Sequence, residues 1–102
     1  MSAVTAPVDI GAMIARSAET KGGNPHIAGT GVTVQRIAGW YKLGYEAEDI
    51  ARKIPRLSLG QIYAALAYYH ANRHEIEELL AAEQADHDRL STEFPKDPAE
   101  LK

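Results

Sequence analysis

Three side chains, His70, His74 and Glu78, recur at four-residue intervals in the second half of the chain. On one continuous α-helix this spacing would place all three on the same face, where two imidazoles and a carboxylate can bind a transition metal. No further ligand is evident, and the face would be exposed, so solvated histidines are the stronger interpretation. We therefore predict no metal ion and no cofactor.

The stretch GGNPHIAGTGVTV, residues 22–34, could instead be a loop that binds phosphate. A dinucleotide-binding loop needs a third glycine where this chain has Val34, and a P-loop needs a Gly-Lys-Ser/Thr sequence that the chain lacks. Glycine makes positive φ angles cheap, so the composition is typical of tight turns. The sequence predicts turn geometry here rather than nucleotide binding.

A covalent or acid–base active site is hard to assemble from the remaining residues. The chain contains no cysteine, and no serine lies in a glycine elbow. Three tyrosines at positions 63, 68 and 69 share one predicted helix, where such rings are typical of cores and interfaces. Since no convergent site emerges, we predict that the protein is not an enzyme.

The elements expected to position these residues are mainly helical. Residues 13–17 read as a short strand, and residues 26–28 could pair with that strand or with residues 31–34 as a minimal hairpin. The apolar spacing predicts helices over Val34–Leu43 and Glu46–Ile54, with Gly44 as a left-handed terminator of the first and Pro55 ending the second.

A third helix begins at the most complete start signal in the sequence. Ser58 and Gln61 form a capping box, and Leu57 and Ile62 form the accompanying hydrophobic staple. The apolar stripe is interrupted at Asn72, which predicts a kink or break there. A further helix is then expected to about residue 85, followed by a tail with two prolines and no periodicity.

Residues 46–70 have the proportions of a helix-turn-helix, whose second helix enters the DNA major groove N-terminus first. Arg52, Lys53 and Arg56 would then lie near phosphates, with Ser58 at the start of the second helix. Gln61 could read adenine, although its capping role competes for the same side chain. These five residues are the predicted DNA-binding set, although a small helix pair with a proline turn is also common in proteins that do not bind DNA.

The net charge of −3 divides unevenly along the chain. Residues 21–74 carry seven basic and three acidic side chains, a balance of +4, whereas residues 75–102 carry three basic and nine acidic ones, a balance of −6. The asymmetry favours different partners for the two parts, although a solvated acidic helix is the plainer alternative. The predicted partner-binding residues are Tyr68, Tyr69, Ile76, Leu79 and Leu80.

Length and composition are those of one small domain. With 102 residues and 45% apolar content, we expect a flexible segment over residues 1–13, one helical domain over 14–85 and a loose acidic tail over 86–102. The modest core makes a homodimer the expected state. The sequence shows no signal peptide and no membrane span, and the lack of cysteine suits a reducing compartment, so we expect a cytoplasmic protein.

Several segments, taken in order, resemble one small bacterial and archaeal family. They are GGNPHIAGTGVTVQRI, GYEAEDIARKIPRLSLGQIYAALAYYHANRHEIE and, within these, the Pro55-x-Leu57-Ser58 and AALAYY motifs, spanning about residues 14–80. The family is catalogued as domain of unknown function 433. This sequence departs from it at Gly31, where the family usually has arginine, and at Glu46, where it usually has a Ser or Thr cap.

The resemblance implies a homeodomain-like or winged-helix-like helix-turn-helix domain, mainly α, with a small N-terminal β-ribbon and a C-terminal helix. It also implies a VapB-like antitoxin that acts beside a PIN-type ribonuclease toxin. Residues 46–70 would then bind operator DNA, and the acidic segment 72–102 would occupy a cationic surface of the toxin. The alternative is a protein-interaction module of the same fold that does not contact DNA.

Overall fold

The structure is a computed structural model that describes residues 7–16 and 23–93. It is mainly helical, with a small two-stranded antiparallel sheet near the N-terminus, as predicted. In chain order the elements are a 3-10 turn (Ile10–Met13), β1 (Ile14–Ala15), β2 (His26–Ile27), α1 (Val34–Lys42), α2 (Ala47–Lys53), α3 (Leu59–Ala71) and α4 (Arg73–Glu93).

The N-terminal ribbon combines the two pairings that the sequence left open. Strand β1 runs antiparallel to β2, with Ile14 opposite Ile27. On the other side of β2, His26 forms an isolated antiparallel bridge to Thr33, and the Ile27 amide donates to the carbonyl of Val32 at 2.9 Å. Of residues 13–16 of the predicted strand 13–17, Ile14 and Ala15 form the strand, because the chain at residue 13 still belongs to the 3-10 turn. Residue 17 lies outside the described residues.

The glycine-rich stretch forms a turn, as predicted. Gly29 adopts a φ of +78°, which only glycine reaches without strain, and it lies in the turn that reverses the chain after β2. The hydroxyl of Thr30 donates to the carbonyl of Ile27 at 2.8 Å and accepts from the amide of Val32 at 3.1 Å. The Thr30 side chain thus stabilises the turn by hydrogen bonds to the backbone on both sides of it. Gly22, the first residue of this stretch, lies outside the described residues.

Helices α1 and α2 begin and end close to the predicted positions. Gly44 has a φ of +102°, the left-handed conformation expected after α1. At the start of α2 the carboxylate of Asp49 accepts from the amide of Glu46 at 3.0 Å. This backbone hydrogen bond is the main reason why the pKa of Asp49 is lowered from its ordinary value. Ile54 leaves the helical region directly before Pro55.

The start of α3 is the predicted capping box. The Ser58 hydroxyl accepts from the amide of Gln61 at 3.1 Å, and the Gln61 side-chain oxygen accepts from the amide of Ser58 at 2.8 Å. Leu57 and Ile62, the predicted staple, are both buried. Two backbone donors that a bare helix start would leave open are therefore satisfied within four residues of chain.

The helical region breaks at Asn72, as predicted, where φ is −132° and ψ is 47°. Helix α4 then continues to Glu93, eight residues beyond the predicted end near residue 85, so a loose tail from residue 86 is wrong for residues 86–93. Helix-favouring Ala, Glu and Gln and an i,i+4 hydrogen bond of 2.9 Å from Gln84 to Asp88 support this extension. Residues 94–102 of the predicted tail lie outside the described range, as do residues 1–6.

Helix α3 lies at the centre of the core and packs against α1, α2 and the beginning of α4. The 3-10 turn, which replaces the unstructured segment expected there, lies against the N-terminal turn of α3. The buried side chains include Ile27, Val32, Val34, Ile37, Ile50, Ile54, Leu57, Ile62, Ala65, Leu66, Tyr69 and Ile76. All four helices and the ribbon contribute to this one cluster.

Two polar networks hold the first turns of α4 against the body. The Tyr69 hydroxyl donates to one carboxylate oxygen of Glu77 at 2.5 Å, and the Lys42 ammonium donates to the other at 2.6 Å. On the opposite side Arg16 and Tyr68 both donate to Glu75. The two glutamates flank the fully buried Ile76, so an apolar anchor and two carboxylates together dock α4 onto α1, α3 and the ribbon.

We predict that Ser58→Ala lowers the free energy of unfolding by about 1 kcal/mol, because an open backbone donor replaces the N-cap hydrogen bond. Equilibrium urea unfolding at constant m-value measures the change. Ser58→Asp, which restores a capping oxygen, is the matched control and is expected to unfold close to the wild type. Equal stability of the alanine and wild-type proteins would contradict a stabilising role for the cap.

We predict that acid weakens the docking of α4 through Glu77. The hydrogen bonds from Lys42 and then Tyr69 lower the pKa of this carboxyl from its ordinary value of 4.5. A lowered folded-state pKa stabilises the protein above the unfolded-state pKa, and this contribution is lost as pH falls through the folded-state value. Lowering the pH from about 6 to about 3 should therefore lower the melting temperature of the wild type more than that of Glu77→Gln. Thermal unfolding at each pH measures the difference. Glu48→Gln on α2 should behave like the wild type, and equal pH dependence in all three would refute the contribution.

Candidate functional site

Helices α2 and α3 form the predicted two-helix unit, joined by residues 54–58. Ile50 and Ile54 from the first helix pack with Ile62 of the second in the common core, which determines how the two helices face each other. The opposite sides of both helices are exposed. This is the surface that would meet DNA in a helix-turn-helix.

The three predicted phosphate-binding cations differ in their surroundings. Arg52 forms an i,i+3 ion pair with Asp49. The ammonium of Lys53 lies 4.9 Å from the ring centroid of Trp40 and 4.7 Å from that of Tyr45, a cation–π contact with both. Arg56 is exposed in the turn between the helices. The structure therefore places all three on the surface of the unit, with two of the charges partly engaged within the chain.

The predicted base-reading residue has another role in this structure. The side-chain oxygen of Gln61 caps α3, and a bidentate contact with adenine requires that oxygen together with the amide nitrogen. The exposed face of the first turns of α3 instead presents Leu59 (42% exposed) and Tyr63 (53% exposed). The sequence could have indicated Tyr63, which lies outside the apolar stripe formed by Ile62, Ala65, Leu66 and Tyr69, whereas Leu59 is spaced to continue that stripe.

Two of the predicted partner-binding residues are buried inside the monomer, which corrects their assignment. Tyr69 is 1% exposed and Ile76 is fully buried, because both fill the junction of α3 and α4. Tyr68, Leu79 and Leu80 are half-buried and pack against the same cluster. These three retain some accessible surface, whereas Tyr69 and Ile76 are enclosed by the core.

The second half of α4 provides a different accessible surface. Every side chain from residue 81 to residue 90 is exposed, among them Glu83, Asp86 and Asp88. Asp86 forms an exposed ion pair of 3.5 Å with Arg89. The helix thus presents Asp86 and Asp88 beyond Glu83, which still accepts a hydrogen bond from Gln35 of α1.

The break at Asn72 separates the three residues of the possible metal site. His70 remains on α3, where its ring contacts Tyr41 edge-on at 5.3 Å between centroids. His74 and Glu78 are on α4 and lie 3.1 Å apart. Across residues 7–16 and 23–93 no group of three or more ligating side chains has the geometry of a metal site.

A cleft that the sequence did not indicate lies between the turn after β2, α1 and α4. Its volume is about 670 Å³, and it is lined by Asn24, Gly31, Thr33, Gln35, Arg36, Gly39, Trp40, Leu43, Leu80, Glu83 and Gln84. Gln35 is 1% exposed, and its amide nitrogen donates to Glu83 at 2.9 Å. Its carbonyl oxygen is buried with no hydrogen-bond partner in the described part of the chain. The sequence feature that could have indicated this cleft is Gln35, a polar residue next to Val34 in the first turn of α1.

None of the helices in the described ranges combines the length and the apolar character needed to cross a bilayer.

Comparison with known proteins identifies the family. The family model described as "Protein of unknown function (DUF433)" matches residues 14–69, from β1 to the end of the buried face of α3. No curated protein matches the chain. The fold is similar to the crystal structure of a DUF433 member from Anabaena variabilis, with a TM-score of 0.63, 23% identity and 68% of each chain covered. The chain therefore belongs to the DUF433 family, a family of unknown function.

Proposed function

We propose that the protein is a non-enzymatic, antitoxin-like adaptor with two separate binding surfaces. The acidic outer half of α4 binds a basic partner protein, for which we propose a PIN-type ribonuclease, as in VapB-like toxin–antitoxin pairs. The α2–α3 unit binds operator DNA as a homeodomain-like or winged-helix-like module. We further propose that the protein is a homodimer, so that two units meet two DNA half-sites.

The observation that carries the proposal is the separation of these surfaces. Residues 81–90 of α4 are all exposed and include three acids, while the beginning of the helix is held by Ile76, Glu75 and Glu77. The first turns of α4 are anchored to the body, and its later turns are exposed and acidic. A helix of this kind can lie along a cationic groove of a partner. The partner contact then leaves the α2–α3 surface free.

Support for DNA binding comes from the two-helix geometry and from the exposed cations at the end of α2 and in the turn. Because Gln61 caps α3, base contacts in this proposal come from Leu59 and Tyr63, whose apolar surface can meet a thymine methyl group. Most of the affinity then comes from phosphate contacts by Arg52, Lys53 and Arg56. We therefore expect weak sequence discrimination and strong salt dependence.

The DNA half is tested by an electrophoretic gel shift on the protein's own promoter. The Arg52/Lys53/Arg56→Ala triple variant should lose binding at moderate salt and lower the slope of log K against log salt by about 1 per contact removed. Arg36→Ala, which removes an exposed cation on α1, is the control and should bind like the wild type. Because Lys53 also packs on two aromatic rings, its replacement could unfold the protein. A thermal unfolding measurement of the triple variant checks that it remains folded.

Two further variants bear on the same experiment. Gln61→Ala should lower stability through the lost cap without changing the base preference, whereas Tyr63→Ala should change DNA binding at unchanged stability. If no promoter fragment binds at low salt, either to the protein alone or to its complex with the toxin, the DNA half of the proposal is wrong.

The partner half is tested by co-expression with the product of the adjacent gene. If this is a PIN-type ribonuclease, the wild-type protein should co-purify with it and suppress its ribonuclease activity. Asp86→Asn together with Asp88→Asn should weaken the complex about tenfold or more, because close charge pairs at interfaces couple by roughly 1.5 kcal/mol or more. Glu48→Gln on α2 is the control, and equal inhibition by all proteins would contradict a role for the acidic helix.

The exposed apolar side chains of Leu59 and Tyr63 favour one second candidate, a protein-interaction module without DNA contact. Exposed aromatic and aliphatic side chains are typical of protein interfaces, and two of the three cations are engaged within the chain. Co-purification of a partner free of nucleic acid, abolished by Tyr63→Ala and unaffected by the triple basic variant, would identify this function.

A further inference from the structure

The cleft between α1 and α4 contains a buried acceptor that the protein itself does not satisfy. Gln35 is 1% exposed, and its side-chain oxygen has no donor within the described ranges. Buried polar atoms without a partner are rare in folded proteins, and each one calls for an explanation. An absent ligand with a hydrogen-bond donor is one such explanation.

The orientation of this amide follows from its neighbour. The nitrogen of Gln35 donates to the Glu83 carboxylate at 2.9 Å, and exchanging nitrogen and oxygen would place two acceptors against each other. The unsatisfied atom is therefore the oxygen. Glu83 is exposed on α4 and lines the same cleft, so a ligand that reaches the Gln35 oxygen requires the Glu83 side chain to move aside.

The remaining lining specifies what kind of donor fits. The carboxylate of Glu83 favours a cation, Trp40 offers an aromatic surface, and Leu43 and Leu80 add apolar walls. A guanidinium is planar, donates five N–H bonds in a fixed fork, pairs with carboxylates and stacks on aromatic rings. An ammonium provides the charge without the planar stacking surface. Arg36, also in the lining, can donate to a carbonyl or carboxylate of the same ligand.

We propose that this cleft binds the guanidinium group of an arginine, with Gln35 and Glu83 as its two acceptors. The volume of about 670 Å³ lies in the range typical of small-ligand pockets and accommodates one arginine side chain with its backbone. The arginine belongs to a partner polypeptide or is the free amino acid, and these sources share the same chemistry. The site shares Glu83 with the acidic surface of the proposed function, but it requires neither DNA nor a toxin.

Gly31 offers an internal test of this site. It lines the cleft and has no side chain to occupy it. Among the glycines in the described ranges, positive φ is found at Gly23, Gly29 and Gly44, so an L-residue at position 31 meets no such backbone penalty. Gly31→Arg is therefore expected to place a guanidinium in the cleft and to block the external ligand.

The experiment is an NMR titration of the full chain with N-acetyl-L-arginine methylamide. We expect saturable shifts of the Gln35 side-chain amide and the Trp40 indole, with a Kd on the order of 1 mM, typical of a single-residue ligand. The citrulline analogue, which has the same shape without the charge, should bind at least tenfold more weakly. Free L-arginine forms a parallel arm: tighter binding of the amino acid than of the peptide analogue indicates a metabolite site, and the reverse indicates a partner polypeptide.

Variants separate this site from non-specific attraction of a cation. Gln35→Met keeps the length of the side chain and removes the acceptor, and Glu83→Gln changes one exposed carboxylate; each should weaken binding about tenfold. Gly31→Arg should abolish binding and raise the melting temperature, whereas Gly31→Met should not raise it. The proposal is overturned if the arginine analogue causes no saturable shifts, if citrulline binds equally well, or if both acceptor variants bind like the wild type. Glu83→Gln keeps the test valid should the buried Gln35 variant fail to fold.

Discussion

The ring of Tyr69 lies where α1, α3 and α4 meet, and the position of α4 depends on it. The ring contacts Tyr41 of α1 at 6.2 Å between centroids, and the guanidinium of Arg73 in α4 lies 5.2 Å from its centre. Its hydroxyl donates to Glu77, and this hydrogen bond raises the pKa of Tyr69 above its ordinary value. One buried side chain therefore combines apolar packing with a polar contact that orients a second helix.

This arrangement explains how an acidic helix is presented by a small domain. The break at Asn72 redirects the chain, Ile76 inserts into the core, and the glutamates on either side of it accept from groups on three other elements. Leu79 and Leu80 are still half-buried, and from residue 81 to residue 90 the side chains of α4 are exposed. The family match ends at residue 69, so the core helix α3 is part of the shared region while α4 lies outside it.

Features that depend on neighbours in the sequence were predicted well. The capping box at Ser58, the left-handed residue Gly44 and the break at Asn72 all follow from side chains within four residues of the affected backbone. The end of α4 was placed too early because the interpretation relied on the apolar stripe. An exposed helix is instead supported by helix propensity and polar i,i+4 pairs, which continue after the stripe has ended.

By itself the sequence determined the helical class, the ribbon, the caps and the membership of a family, because these depend on local spacing and on motifs. Only the tertiary structure decided which side chains are accessible. Tyr69 and Tyr68 are adjacent in sequence, yet one is buried in the core and the other half-exposed. The cleft at Gln35 likewise joins α1 to a residue 48 positions further along the chain. Such contacts form when separate helices pack, and no local pattern specifies which residue on one helix meets which on another.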